Sequence, residues 1–197
     1  MAKYQKDAVI SSFKEFKGYV WEDWKVNHFS FLRPGCQAMV MYRFGVWQSG
    51  LEGKVLKALA GWLYKFMHLF CRNFYGIELY SSARIGRRLR ISHQSGIVLD
   101  PKLVMGDDCS IRQGVTIGRV DGQGSEERAS APVIGNRVRV GLGAAILGRV
   151  TVGDDVVIGP YAVVTTNVPS GSIVSCAPPR VFSRPPSTAK AESSQNQ

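Results

Sequence analysis

Residues 91 to 96 read ISHQSG, and the third of them, His93, is an imidazole in a six-residue pattern whose other units carry Gly, Asp, Asn or Arg. An imidazole changes charge near neutral pH, so such a residue can move a proton or ligate a metal ion. Metal chemistry on this kind of scaffold asks for convergent histidines. Of the chain's three, His28 and His68 fall in a different, helical stretch and read as structural or surface residues. The four cysteines, Cys36, Cys71, Cys109 and Cys176, lack metal-type spacing, so no metal is expected. What the imidazole does depends on the elements that hold it.

Those elements announce themselves by period. Ile134, Val140, Ile146, Val152, Ile158 and Val164 stand six apart, and Val138, Ala144, Val150, Val156 and Ala162 follow four places after the first five. Leu79, Ile85, Ile91 and Ile97 keep the same spacing, as do Met105, Ile111 and Ile117. A chain that turns a corner every six residues builds a triangular solenoid: the aliphatic residue points inward, a small residue eases the bend, and three units close one coil. A sandwich would alternate with period two instead. The spacing therefore predicts a mainly β protein, a parallel β-helix of hexapeptide repeats over residues 77–168. The phase slips by two residues between Ile97 and Met105. Between Ile117 and Ile134 the polar excursion GRVDGQGSEERASAP leaves the solenoid, giving an external loop over 119–132 that is expected to help complete a binding site.

Residues 1–76 carry apolar side chains at three- and four-residue spacing, broken at Arg33-Pro34-Gly35 and Ser49-Gly50, and read as a short helical region of two or three helices. Trp21, Trp24, Trp47 and Trp62 are expected to pack. Val55 to Phe70 is the most apolar stretch, but Lys57, Lys65 and His68 interrupt it; a membrane span is not expected, and contact with a membrane surface is compatible with it. Residues 169–182 form a proline-punctuated closing segment, and 183–197 a tail with little to bury, expected to be disordered. The unpaired cysteines and the lack of an apolar leader suit the cytoplasm. A net charge of +10 favours anionic partners, yet no nucleic-acid motif accompanies it, so none is expected to bind.

From about Pro34 to Phe182 the chain resembles the serine O-acetyltransferases and their relatives among the hexapeptide-repeat acyltransferases, in PGCQAMVMYRFGVW, ISHQSGIVL, MGDDCSIRQGVTIG, VGLGAAILGRVTVGDDVVIGPYAVV and VPSGSIVSCAPPRVF. The resemblance implies a left-handed β-helix, a homotrimer, and acetyl transfer from acetyl-CoA to a hydroxyl. It implies that His93 is the general base and Glu78, in GIELYS, its acidic partner. An alcohol is a poor nucleophile at neutral pH; an imidazole can take its proton, and a carboxylate on the other nitrogen fixes the tautomer. It further places acetyl-CoA between subunits, along Gly141, Leu142, Gly143 and Ala144 and along Pro160 and Tyr161, with Gly118 and Arg180 as further cofactor candidates. Pro160 has no N–H to donate, a departure from that pattern.

Other departures sit where serine would be held. The family's aspartate before the histidine is Ser92 here, its Arg-His pair before a proline is Ser130-Ala131 before Pro132, and Arg128 is the candidate replacement charge. A zwitterion stripped of water needs charged partners. A different hydroxyl acceptor is therefore expected, and the resemblance to relatives with shorter helical N-termini and altered acceptor pockets implies a sugar, small or lipid-linked, in exopolysaccharide or cell-surface glycan biosynthesis. A divergent serine O-acetyltransferase of cysteine biosynthesis is the alternative, and a non-catalytic assembly or binding subunit a third reading.

Overall fold

The computed structural model describes residues 10–119 and 131–178. Three helices come first: α1 (Phe13–Val26), α2 (Pro34–Ser49) and α3 (Lys54–Tyr75). Ser12 caps α1 by accepting the Glu15 N–H at 3.2 Å. Pro34 opens α2, where its missing N–H costs nothing. Gly76, left-handed at φ 61°, ends α3 and delivers the chain straight into the repeat.

The strands that follow form three parallel faces. The first stacks β1 (Ile77–Glu78), β4 (Ile97–Leu99), β7 (Thr116–Gly118), β10 (Ala145–Leu147) and β13 (Val163–Val164). The second stacks β2 (Arg84–Ile85), β5 (Val104–Met105), β8 (Val133–Ile134) and β11 (Thr151–Val152). The third stacks β3 (Arg90–Ser92), β6 (Ser110–Arg112), β9 (Arg139–Val140), β12 (Val157–Ile158) and β14 (Ile173–Val174). Pairing thus continues past residue 168, where the repeat was expected to close. The six-residue spacing becomes columns of like on like, such as Ile85, Met105, Ile134 and Val152, all buried. Each such side chain contributes about 1.5–3 kcal/mol by leaving water.

At the bend between the second and third faces the coils touch backbone to backbone. A Cβ on Gly106 would lie 2.8 Å from the Gly135 carbonyl, and one on Gly135 2.7 Å from that of Gly153. The next residue of each coil then sends a side-chain oxygen to the neighbouring N–H: Asp107 to Arg87, Asn136 to Asp107 and Asp154 to Asn136, at 2.7–2.9 Å.

The two-residue slip lies elsewhere than the spacing suggests. Ile77, Ile85 and Ile91 pair with residues twenty later, whereas Val98 and Leu99 pair with residues eighteen later. Ser92 stands opposite Arg112, and the Gly114 N–H reaches Ser95 O, so His93-Gln94-Ser95 fills a corner where the next coil has only Gln113. The surplus is the histidine corner itself.

The helices dock on the first coil through polar groups that carry no periodic signature. Arg43 of α2, fully buried, bonds Asp23 of α1 at 2.7 Å and donates to the carbonyls of Ile85 and Gly86 at 3.0 and 2.6 Å. Burial pushes the Asp23 carboxyl above its usual range, and Arg43 pulls it back. Asn27 donates to Leu89 O and accepts the Ile91 N–H at 3.2 Å, two residues before His93. Gly35 of α2 leaves no room for a Cβ against Ile91. Trp24 and Trp47 pack half-buried; Trp21 sets its ring 4.7 Å from that of Trp24 yet stands 53% exposed, and Trp62 stands 73% exposed. Trp62 belongs to an apolar stripe on α3 with Val55, Leu59, Phe66 and Phe74, facing away from the solenoid. Among the described residues no helix is long and apolar enough to cross a membrane.

Arg43→Met should lower folding stability by about 3–5 kcal/mol, because it leaves a buried carboxylate without its cation. Urea denaturation of wild type and variant measures this; a loss under about 1 kcal/mol would show that the pair does not clamp the helices.

Candidate active site

The surplus residues leave the third face with His93 at φ 67° and Ser95 at φ 87°, both left-handed, before Gly96 at φ 66° returns the chain to β4. A non-glycine residue in that region costs about 1–2 kcal/mol, and held strain of this kind gathers at functional sites. His93 is exposed, and Ser92 beside it points outward from β3, half-buried.

The turn is fixed from below. The Ser95 N–H donates to Tyr75 O at 2.8 Å and the Ile97 N–H to Gly76 O at 2.9 Å, which stacks the histidine corner on the turn leading to Glu78. Both predicted residues therefore share one corner. Among the described residues no hydrogen bond or ion pair joins the Glu78 carboxylate to His93; it accepts the Tyr80 hydroxyl at 3.2 Å. Its field also reaches His68 of α3, whose ring lies 5.0 Å from Tyr80 and 5.9 Å from Tyr64. Burial, aided by the Arg72 charge, pushes the His68 pKa below its usual value, and Glu78 pulls the other way. His68 Nε2 is buried without a partner among the described residues. Sequence reasoning had set His68 aside; only the fold brings it beside Glu78.

A groove of about 450 Å³ runs down the third face; Ser92, the residue before His93, lines it, and His93 itself does not. Arg90, Ser92 and Arg112 line it near the histidine, and Gly141, Leu142 and Pro160 farther along. These last include three of the cofactor candidates, and their bare backbone and apolar side chains fit a pantetheine arm. The expected row of free N–H donors is not there, however. Those of Gly141, Gly143 and Tyr161 are spent on Ile158, Gln113 and Leu142 carbonyls, and those of Ala144 and Ala162 close turns. Parallel stacking consumes them. The Leu142 N–H has no intrachain acceptor among the described residues. Tyr161, at φ 56°, takes the left-handed place held by Gly143, Gly114 and Gly96 in the earlier coils and lays its ring over Gly143. Gly118 lies away from the groove, on the first face near Asp100. Arg128, Ser130 and Arg180 fall outside the described residues. Among the described residues no cluster of His, Cys, Asp or Glu could hold a metal.

The external loop departs at Arg119, which Asp100 anchors. The Asp100 carboxylate accepts the Arg119 Nε at 2.7 Å and the Lys102 N–H at 2.8 Å. Burial opposes its charge, but the Lys102 N–H and Arg119 outweigh burial and hold the carboxyl below the usual aspartate range.

Residues 131–166 match the family of bacterial transferase hexapeptide proteins (six repeats). A serine acetyltransferase of Helicobacter pylori is 39% identical over 141 residues, covering 72% of this chain and 77% of that one. One from Synechococcus elongatus is 35% identical over 151 residues, covering 77% and 58%. Among solved structures, the serine acetyltransferase of Brucella abortus in complex with coenzyme A superposes with a TM-score of 0.69 at 22% identity, over 85% of this chain and 68% of that one. That of Vibrio cholerae does so at 0.65 and 28%, over 88% and 68%. A solenoid of hexapeptide coils with these relatives is a hexapeptide-repeat acyltransferase. More narrowly, the chain belongs to the serine acetyltransferase family.

Because the folded Asp100 carboxyl titrates below the unfolded one, its bonds contribute fully above about pH 4 and fade as pH falls through the folded value. Asp100→Asn should lower stability at neutral pH and flatten the acid limb below about pH 4, read by thermal melting across pH. An unchanged acid limb would show that the anchor is not closed.

Proposed function

We propose that this protein is an O-acetyltransferase in which His93 acts as the general base toward a hydroxyl acceptor. The observation that carries this is the two-residue enlargement of one corner, which sets an exposed imidazole directly after Ser92, a residue that lines the groove. His93 takes the hydroxyl proton as the oxygen attacks and releases it as transfer completes. Glu78, on the same corner, supplies the negative field that steadies the imidazolium, with Tyr80 holding the carboxylate. When bound, acetyl-CoA supplies an activated acyl thioester; Gly141, Leu142, Pro160 and Tyr161 would hold it, with the Leu142 N–H as donor. The working unit we propose is a homotrimer with this groove between neighbours.

L-Serine is the acceptor that the relatives' names support. A sugar hydroxyl of a glycan is the second reading, favoured by the uncharged Ser92 beside the base and Ala131 at the loop's return. The apolar stripe of α3, accompanied by Lys54, Lys65 and Arg72 and by no acidic residue of that helix, supports peripheral membrane contact suited to a lipid-linked acceptor.

His93→Ala should reduce acetyl transfer by about 10²–10⁴-fold with circular dichroism unchanged, followed by release of free CoA thiol. Full activity in that variant would defeat the proposal. O-acetylserine formation selects the first acceptor; transfer to a sugar with serine untouched selects the second.

A further inference from the structure

We infer that the groove beside His93 recognises an acceptor bearing an anionic group, carboxylate or phosphate, and no ammonium. This rests on the acetyltransferase reading, adds a specificity site to it and, of the acceptors named above, decides against L-serine. Arg90 and Arg139 stand on either side of Ser110 in register, and Arg112 stands opposite Ser92. Three consecutive coils thus present three guanidinium groups to one groove, the outer two about 10 Å apart at two strand spacings. Arg87 and Arg88 close on Glu22 and Asp108, Arg119 on Asp100 and Arg137 on Asp155. Among the described residues Arg90, Arg112 and Arg139 have no such partner, and the Arg90 Nε is buried with none.

A buried donor left unmade is costly, and three like charges in one groove repel. Both costs are relieved by an anion, which guanidinium forks grip in bidentate fashion. No carboxylate lines the groove. Arg90 and Arg139 also border an adjoining cavity that holds Asp108 and Asp155, but Arg88 and Arg137 take those carboxylates. An ammonium would therefore sit among three cations, and a hydroxy acid or hydroxy phosphate fits where an amino acid does not. Ser92 and Ser110 add hydroxyls between the arginines. The anion is assigned to the acceptor because Arg90 and Ser92 lie on the strand that leads into His93 and Arg112 on the strand stacked against it. Acetyl-CoA, when bound, would bring a neutral acyl-pantetheine arm to the base and carry its phosphates at the other end of that arm. Arg139 precedes Gly141 by two residues and lies nearer the cofactor positions.

The test uses the full chain with matched acceptors: D-glycerate against glycerol and against L-serine, methyl β-glucuronide against methyl β-glucoside, and UDP-N-acetylglucosamine against N-acetylglucosamine. The expected result is at least about tenfold higher kcat/KM for an anionic member. Arg112→Gln should raise the KM for that acceptor about tenfold or more, with the KM for acetyl-CoA moving less than about twofold. The glycerate and glucuronide pairs read a carboxylate, and the UDP pair reads a phosphate. The inference is overturned if neutral members react equally well, if L-serine outruns D-glycerate, or if Arg112→Gln raises only the acetyl-CoA KM, which assigns the cation to CoA. It is also overturned if acetyl-CoA binds and no anionic member is acetylated. Failure of acetyl-CoA to bind the wild-type chain, measured by calorimetry, instead defeats the acetyltransferase reading.

Discussion

Backbone stacking at a single strand spacing is the constraint on which the rest of the molecule depends. Where one coil meets the next at the Gly86, Gly106 and Gly135 corners there is no space for even a methyl group. The N–H groups bared by those bends are capped by the side chains of Asp107, Asn136 and Asp154 from the coil beyond. Register is therefore set twice over, by columns of inward aliphatics and by polar ladders at the bends. A scaffold this determined holds a surface group in place without help from that group.

The helices extend the same control to the site. Arg43 and Asn27 do not touch the groove, yet they bind the backbone of the second and third faces in the first coil, the stretch that leads to His93. Aliphatic packing resists compression but tolerates sliding; charge-assisted hydrogen bonds to named carbonyls do not. The first coil lacks a coil beneath it over most of its length, and the helices supply the missing support.

Much of this was legible in the sequence. The six-residue spacing gave three faces and an inward column, and the polar stretch after Gly118 marked the place where the next coil begins eleven residues late. His93 stood out because it broke the pattern. The location of the slip did not, for a physical reason: Ile97 and Leu99 both point inward from β4, so Ile97 continues the six-residue count although Leu99 occupies the equivalent place. A local alternation of two imitated the longer period.

What remained hidden involves single residues with no periodic trace. Arg43 and Asp23 resemble surface charges until helix packing brings them together. The approach of His68 to Glu78 joins a helix to the strand after it. The free N–H row expected along residues 141–144 was lost to parallel pairing, which local motifs do not reveal.

The enlarged corner, where the proposed base stands, disturbs a crystal-like fold very little. Two additional residues are absorbed in one bend, Ile91 before it and Ile97 after it stay in the core, and no other coil changes its packing. With the excursion after Gly118, it is one of two dislocations in an otherwise periodic lattice. On the proposed reading the chemistry sits in that defect, so the irregularity is the part of this architecture that a designer seeking an ideal repeat would discard first.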